Sequence, residues 1–505
     1  MKRSYLKLFF ILFAGIFTIT SCEKKFLDIN IDPDRISSAP LPQLLTSAQV
    51  NLGFDAGSDL FRYSTLIAQQ LSGQASQPNQ TYEYDRYNIQ GSDENNVWSS
   101  MYATTLNDLE TIIQQATAAG SPNYSGVAKI LKAYQYLNIV DAWGDVPFSE
   151  AQKLTLNIAP HYDKAETIYT NLITLLNEGI NEVNAATSIL SPGSNSVIYT
   201  GTWSTVKSNW VKLANTLKLR IYIHYTKKDP AFAVSSISTL VGSSATFFAS
   251  NADNFQMTFF NTSKNQNPIM QFEQQGVRPN YLFASDKMIT LMNSKNDPRL
   301  PFYFTPFPYN STTFQGVKPG DAVSINYSRN HIYLKGALVG TPTPNAAGAI
   351  PAPGGSSGYT YTGDAPVRML TFAEYNFIRA EAALRGATGN AQTFFTAGIT
   401  ASMQNAGVSA TAIATYLVAN GTLSATTATA LQQIIEEKYI ANFGVTMEPW
   451  TDYRRTGFPT LIPPVNGVET VVPRSLFYPQ SEIDLNPNAP QQKPNLQQRI
   501  FWDTP

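Results

Sequence analysis

The chain has 505 residues, with 35 basic and 36 acidic side chains and one cysteine. That near-neutral balance offers no concentrated positive surface and argues against nucleic acid as a partner. A lone cysteine closes no internal disulfide, so stability has to come from a packed core. Charged residues make up 14% and aromatics 12%, with 26 Tyr and 28 Phe against 6 Trp. The surplus of Tyr suggests ring faces with wet edges as well as core rings.

At the N-terminus Lys2, Arg3 and Lys7 lead into an apolar run from Leu8 to Ile19, followed by Thr20, Ser21 and Cys22. The run is shorter than the roughly 20 residues a membrane-spanning helix needs. A positive start, a short apolar core and small residues before a cut point read as a secretory signal over residues 1–21. Ile19-Thr20-Ser21-Cys22 resembles a bacterial lipobox, in which the cysteine becomes the first mature residue and carries the acyl chains. Several chains on one residue exceed the marginal anchoring of a single chain. Losing Lys2, Arg3 and Lys7 with the leader leaves 32 of the 35 basic residues against 36 acidic ones. No later stretch is long and apolar enough to span a bilayer. The rest, 22–505, reads as a single domain.

Further along, residues 73–96 carry no apolar stripe, and helical periodicity begins at 97–119. In 127–142 the stripe is Val127, Ile130, Leu131, Tyr134 and Leu137, stopped by Gly144 and Pro147. Asp163 and Glu166 have capping-box spacing ahead of Ile168, Leu172, Leu175 and Val183. Trp203, Val206, Trp210, Leu213, Leu217 and Ile221 share one face of 203–226, and Asp229-Pro230 ends that helix. From about 245 to 370 Phe, Tyr, Asn, Pro and Gly dominate, and Gly336–Pro366 reads as a long loop. Thr371 and Glu374 form a second capping box, with Leu370 and Tyr375 placed as a hydrophobic staple. Leu431, Ile435, Tyr439 and Phe443 follow at steps of four, which places Glu436 and Glu437 on the opposite, solvated side.

The helices pair as 97–119 with 127–142, 162–186 with 203–226, 371–385 with 391–406, and 428–443 with 446–456. The fold class is therefore mainly all-α: a helix-pair scaffold over about 97–226 and 371–456, with a large irregular region at about 245–370.

Cys22-Glu-Lys-Lys-Phe-Leu-Asp-Ile-Asn-Ile-Asp-Pro-Asp34 resembles the mature N-terminus of SusD/RagB-type outer-membrane lipoproteins of the Bacteroidetes, and Ala128–Pro147, ending in Trp-Gly-Asp-Val-Pro, resembles a helix of that family. Asn296-Asp-Pro-Arg-Leu300, Tyr375–Ala382, Trp450–Pro459 and Arg474–Pro479 with Asn486-Pro-Asn488 also match, in order, and are most similar to the SusD-like subgroup. The resemblance implies four tetratricopeptide-like helix pairs and a surface-exposed lid on a SusC-like TonB-dependent transporter. Such a lid captures oligosaccharides and passes them on. The alternatives are a peptide- or glycoprotein-binding lid of the same kind and, in another class, a surface glycoside hydrolase.

Glycan capture uses flat rings and planar polar groups in a preformed hollow. The family's ligand loops vary, so no contact residue carries over by motif. The candidates are Trp98 and the loop Tyr82, Tyr84 and Tyr87 with Asn95 and Asn96, then Arg278, Asn280 and Tyr281, then Tyr303. Arg379, Glu381, Asp452, Arg454 and Arg455 read as buried arginine–carboxylate pairing that locks helix ends. No cofactor or metal site is expected. Asp28, Asn30, Asp32 and Asp34 alternate like a calcium loop, but Pro33 and Ala39 stand where Gly and Glu are needed. His161, His224 and His331 are far apart, and His224 continues a core stripe. Gly354-Gly-Ser-Ser-Gly358 has no strand before it and no helix after it. There is no phosphate-binding glycine loop. Cys22→Ala should leave the protein soluble or mislocalised with its ligand binding intact; membrane fractionation that still finds the variant anchored would remove the lipid argument.

Overall fold

The apolar stripes of the sequence become buried helix faces. The computed structural model describes residues 39–505 apart from 74–78, 154–155, 275–277, 279 and 322–323. Cys22, the leader and the Asp28–Asp34 run lie outside the described residues. The chain divides into Met1–Pro40 and Leu41–Pro505. Within the second unit, α1 (Leu41–Gly57) and α2 (Asp59–Ile67) precede β1 (Leu71–Gly73) and α3 (Gln80–Asp85). Then α4 (Asn95–Ser99) passes through a π-helical stretch, Ser100–Leu106, into α5 (Asn107–Ala118). The irregular turn is fastened by the buried Asp55 carboxylate, which accepts from Ser100 Oγ at 2.5 Å, Thr105 Oγ1 at 2.6 Å and Gln135 Nε2 at 2.7 Å.

The long helices follow: α6 (Pro122–Trp143), α7 (Ala165–Val183), α8 (Trp203–His224) and α9 (Pro230–Gly242). Proline at the first turn of α6 and α9 costs no helical hydrogen bond. Helix α5 packs on α6 and α7 on α8, as the stripes predict, but α6 also packs on α7 and α8 on α9, so the pairs continue into one stack. At the α6–α7 crossing two glycines face each other. A Cβ on Gly126 would stand 2.8 Å from the Gly179 carbonyl oxygen, and one on Gly179 would stand 2.8 Å from Ile130.

Capping differs in one place from the expected pattern. Helix α7 starts at Ala165, and its first amide donates to Asp145 of the Trp-Gly-Asp-Val-Pro turn at 2.8 Å. Asp163 instead accepts from the Phe148 and Ser149 amides, because Val146 and Asp163 pair as a β-bridge that points its carboxylate across the turn. Asp229 also does more than end α8: its side chain caps α9 by accepting from the Phe232 amide at 2.9 Å.

The middle of the chain is irregular, with β2 (Phe255–Met257), α10 (Pro268–Gln274), β3 (Leu282–Ala284), α11 (Asp286–Ser294), α12 (Leu300–Tyr303), α13 (Ile332–Lys335), β4 (Leu338–Gly340), β5 (Tyr359–Tyr361) and β6 (Val367–Leu370). The strands form three antiparallel pairs, β1–β3, β2–β6 and β4–β5. The scaffold resumes with α14 (Phe372–Leu384), α15 (Ala391–Ala406), α16 (Ala410–Asn420), α17 (Thr427–Ala441), α18 (Glu448–Thr456) and α19 (Gln480–Leu485). Thr371 caps α14 by accepting from the Glu374 amide at 3.1 Å.

A buried ionic network joins these halves. Arg455 grips Glu381 through two hydrogen bonds of 2.5 Å and Asp452 through two of 2.6 and 3.0 Å. Lys438 reaches Glu448 at 2.5 Å and Asp452 at 3.0 Å. Arg220 holds Glu374 at 2.6 and 2.7 Å. His224 is the satisfied core histidine its stripe implies, 3.1 Å from Glu448 and 2.9 Å from the Tyr169 hydroxyl, which donates to Asp141. Glu437 corrects the sequence reading. It is fully buried, accepting from Arg299 at 2.8 Å and Tyr416 at 2.6 Å, because α17 is covered on both sides.

Burial acts to raise the Glu381 carboxyl, and the Arg455 and Arg385 guanidiniums overcome it, holding the group at about 2, down from 4.5. A depressed carboxyl contributes stability that is complete above its unfolded value and is lost as pH falls through the folded one. Arg455→Met leaves the buried Glu381 with Arg385 and Asp452 with Lys438 and should cost about 3 kcal/mol in urea unfolding at pH 7, with the gap to wild type narrowing between about pH 4.5 and about 2. Lys164→Ala, which breaks an exposed pair, should cost under about 1 kcal/mol.

Candidate functional site

Two of the sequence-predicted clusters meet because β1 pairs with β3, with Gly73 opposite Leu282. A Cβ on Gly73 would lie 2.2 Å from the Thr81 carbonyl oxygen, so glycine lets α3 sit directly on the strand. Thr81 Oγ1 then donates to the Tyr281 carbonyl at 2.6 Å. Asn79 caps α3, accepting from the Tyr82 amide at 2.9 Å. The partly exposed Tyr82 and Tyr281 rings are thereby carried on neighbouring elements.

Beside them Phe272 forms a platform. Its ring lies 4.2 Å from the Arg62 guanidinium and 4.9 Å from that of Arg278, with Tyr281 edge-on at 5.8 Å. Arg62 is buried and pairs with Asp59, whereas Arg278 is exposed. Burial and the neighbouring Arg278 charge pull the Arg62 guanidinium down to about 10, still protonated at neutral pH. A groove of about 240 Å³ opens here, lined by Phe54, Ser58, Asp59, Arg62, Pro268, Gln271, Phe272 and Arg278. Asn280, at φ +64°, does not face a ligand freely, since its Oδ1 accepts from the buried Arg329.

The remaining candidates sit elsewhere or inside. Tyr84 is 1% exposed, its ring 4.7 Å from Tyr63. Tyr87 is equally buried and accepts from Gln69 Nε2 at 3.0 Å. Tyr303 is wholly buried between Tyr333 at 4.5 Å and Phe443 at 4.9 Å. Trp98, 5% exposed, stacks on Tyr102 at 4.4 Å and meets Trp143 edge-on at 5.3 Å. It lines a separate groove of about 300 Å³ with Pro147, Gln152, Asn157, Pro160 and Glu482. Asn95 accepts from the Ser481 amide at 2.9 Å, and Asn96 is exposed.

Phe272 and Arg62 were not among the candidates. Phe272 lies six residues before Arg278, so the neighbourhood was marked, but nothing in spacing distinguishes its ring from a core ring. Arg62 sits on a helix whose face is otherwise apolar, with Leu60, Phe61, Tyr63, Leu66 and Ile67 buried around it. Among the described residues no cluster of three or more His, Cys, Asp or Glu could hold a metal ion, and no helix is long and apolar enough to cross a membrane.

The family model SusD-like_2, described as starch-binding associating with outer membrane, matches residues 33–479. Among solved structures, a SusD homologue from Bacteroides uniformis superposes with a TM-score of 0.69 at 24% identity, covering 92% of this chain and 99% of that one. A chitin-binding SusD homologue from Flavobacterium johnsoniae gives a TM-score of 0.72 at 22% identity, over 92% and 98%. A Bacteroidetes SusD-like structure gives 0.76 at 20% identity, over 92% and 100%. No curated protein matches the sequence. With motifs in the expected order, a helix-pair scaffold, and a family match over most of its length, the chain belongs to the SusD-like family of the outer membrane.

Proposed function

We propose that the face formed by Tyr82, Arg278 and Tyr281 over the Phe272 platform captures an oligosaccharide, which the protein, anchored by lipid on Cys22, hands to a SusC-like TonB-dependent transporter. The observation that carries this reading is an exposed guanidinium, Arg278, over the Phe272 ring at a groove, with partly exposed Tyr281 edge-on to that ring and partly exposed Tyr82 on the neighbouring helix. Sugar rings present apolar C–H faces that lie on aromatic rings, and their neighbouring hydroxyls match a planar fork of N–H donors. The Phe272 ring gives the Arg278 guanidinium a face to rest on, 4.9 Å away. Family membership supports the class of ligand and the outer-membrane setting.

Capture without turnover is favoured by the lining. Each groove carries one carboxylate among its described lining residues, Asp59 in one and Glu482 in the other. Glycoside hydrolysis uses two, flanking the bond. Asp59 is tied to Arg62 and Glu482 accepts from the Tyr162 hydroxyl at 3.1 Å. Glu437 and Glu448, elsewhere in the chain, are locked in buried ion pairs. Energy for import falls to the transporter, since the chain has no nucleotide-binding loop.

Calorimetry against a panel of starch- and chitin-type oligosaccharides tests the site. Tyr281→Ala and Arg278→Ala should each weaken binding about tenfold, about 1.4 kcal/mol, with little change in melting temperature. Trp98→Ala and Tyr84→Ala should lower the melting temperature, because both rings are packed inside. Retention of peptides and no glycan would turn the reading to a peptide lid, and release of reducing ends by the purified chain would turn it to a hydrolase.

A further inference from the structure

On the scaffold, between α7, α8 and α9, lies a cavity of about 450 Å³ lined by Asn177, Lys218, Tyr222, Phe232, Ser235, Ser236, Thr239, Leu240 and Ser243. This volume is within the range of small-molecule sites, about 300–1,000 Å³. Its floor carries Lys218, which is 6% exposed. The ammonium donates to Asn215 Oδ1 at 3.3 Å, and among the described residues no carboxylate lies within 4.0 Å of it. Lys493, another buried lysine without a carboxylate partner, behaves differently. Its three protons reach Trp143 O at 2.8 Å, Ser475 Oγ at 2.9 Å and Leu476 O at 2.7 Å. Lys218 therefore keeps two donors without a protein partner among the described residues, facing an open groove where water or a ligand oxygen can meet them.

The walls suit an oxygen-rich guest. The Ser236 and Thr239 hydroxyls make no protein hydrogen bond among the described residues. At the rim Phe232 is 41% exposed, its ring edge-on to Tyr222 at 6.0 Å and to Tyr225 at 4.8 Å. Nearby carboxylates are already engaged: Glu178 with Lys129 at 2.8 Å and Glu166 with Lys228 at 2.5 Å. Burial pulls the Lys218 ammonium down to about 8 from 10.5. A bound anion would raise it again.

We propose that this cavity is a second binding subsite, distinct from the Tyr281 face, for a sugar carrying an oxyanion: the acidic group on Lys218, hydroxyls on Ser236 and Thr239, and the apolar ring face against Phe232. The two sources of that chemistry are uronic acids and sulfated sugars.

Saturation-transfer NMR and calorimetry on the full chain, with glucuronate, glucose 6-sulfate, glucose and inorganic sulfate as probes, separate the possibilities. At least one charged sugar should bind with a Kd of about 1 mM and at least tenfold tighter than glucose. Lys218→Met should abolish this binding, Lys218→Arg should retain it in part, and Tyr281→Ala should leave it unchanged. Lys218→Met removes a buried charge without a carboxylate partner, so it should melt at or above the parent temperature, which keeps misfolding out of the interpretation. Charged sugars binding no better than glucose, sulfate alone binding as well as the sugars, or Lys218→Met binding like the parent would each overturn the proposal. Because Tyr281→Ala reports on the first face and Lys218→Met on this one, failure of one reading is distinguishable from failure of the other.

Discussion

The fold hangs on charges that have been taken out of water. Arg455, Lys438 and Arg220 face Glu381, Asp452, Glu448 and Glu374 in a region where every one of these side chains is almost wholly buried. Desolvating each ion costs several kcal/mol, and only close, multiply hydrogen-bonded contact repays it. Such a network is a stringent constraint on register. Sliding α14 or α18 by one turn, about 5.4 Å, would separate Glu381 from Arg455 and leave each with only its partner on its own helix, Arg385 and Asp452. Asp141 of α6, Tyr169 of α7 and Trp502 near the C-terminus join the same network, with Trp502 Nε1 3.1 Å from Asp141. Helices distant in sequence are thus fixed to one another by a handful of polar atoms.

That rigidity explains how the middle of the chain can be so irregular. Residues 255–370 contain few long helices, yet their backbone groups are met by side chains that the scaffold or neighbouring loops hold still. Asn267 donates to the Leu334 and Ala365 carbonyls, both at 2.8 Å, and Arg368 donates to the Tyr333 carbonyl at 3.0 Å while its guanidinium lies 3.7 Å from the Tyr333 ring. Arg299 performs the same service at the scaffold edge, bridging Asp297, Ser402 and Glu437. Buried loop backbone needs such partners. Given them, the surface loops between the anchors can differ in sequence without loosening the core.

What the sequence disclosed follows from where periodicity has meaning. Helices covered on one side, such as α7 with Ile168, Leu172 and Val183, announce themselves as stripes. Helix α17 is covered on both sides, and there the stripe misleads: Ile435 and Glu437 are both buried although they point in different directions. Of the motif arginines, Arg455 finds the carboxylates expected of it, Glu381 and Asp452, whereas Arg379 and Arg454 instead donate to backbone carbonyls and hydroxyls, of Thr388 and Tyr375 and of Asp141, Arg474 and Thr451. Tyr84, Tyr87 and Tyr303 were not legible as core, since a tyrosine among Asn, Asp and Pro gives no sign of which way its ring turns. Their burial depends on contacts with Tyr63, Gln69 and Phe443, each remote or differently phased in sequence. The proximity of Tyr82 to Tyr281 rests on a three-residue strand pair too short to be read from alternation.

The dry centre and the wet face would treat a bound ligand differently. A ligand seated among fully desolvated charges would be bound tightly and specifically but would leave slowly, since most affinity is expressed in the off-rate. The face at Tyr82, Arg278 and Tyr281 is built the other way, with half-exposed rings and one exposed guanidinium, so that water competes for every contact. Beneath it the Phe272 ring lies 4.2 Å from the Arg62 guanidinium and 4.9 Å from that of Arg278. A preorganised but solvated surface binds with modest affinity and little ordering cost. A ligand held on such a surface would exchange readily with water.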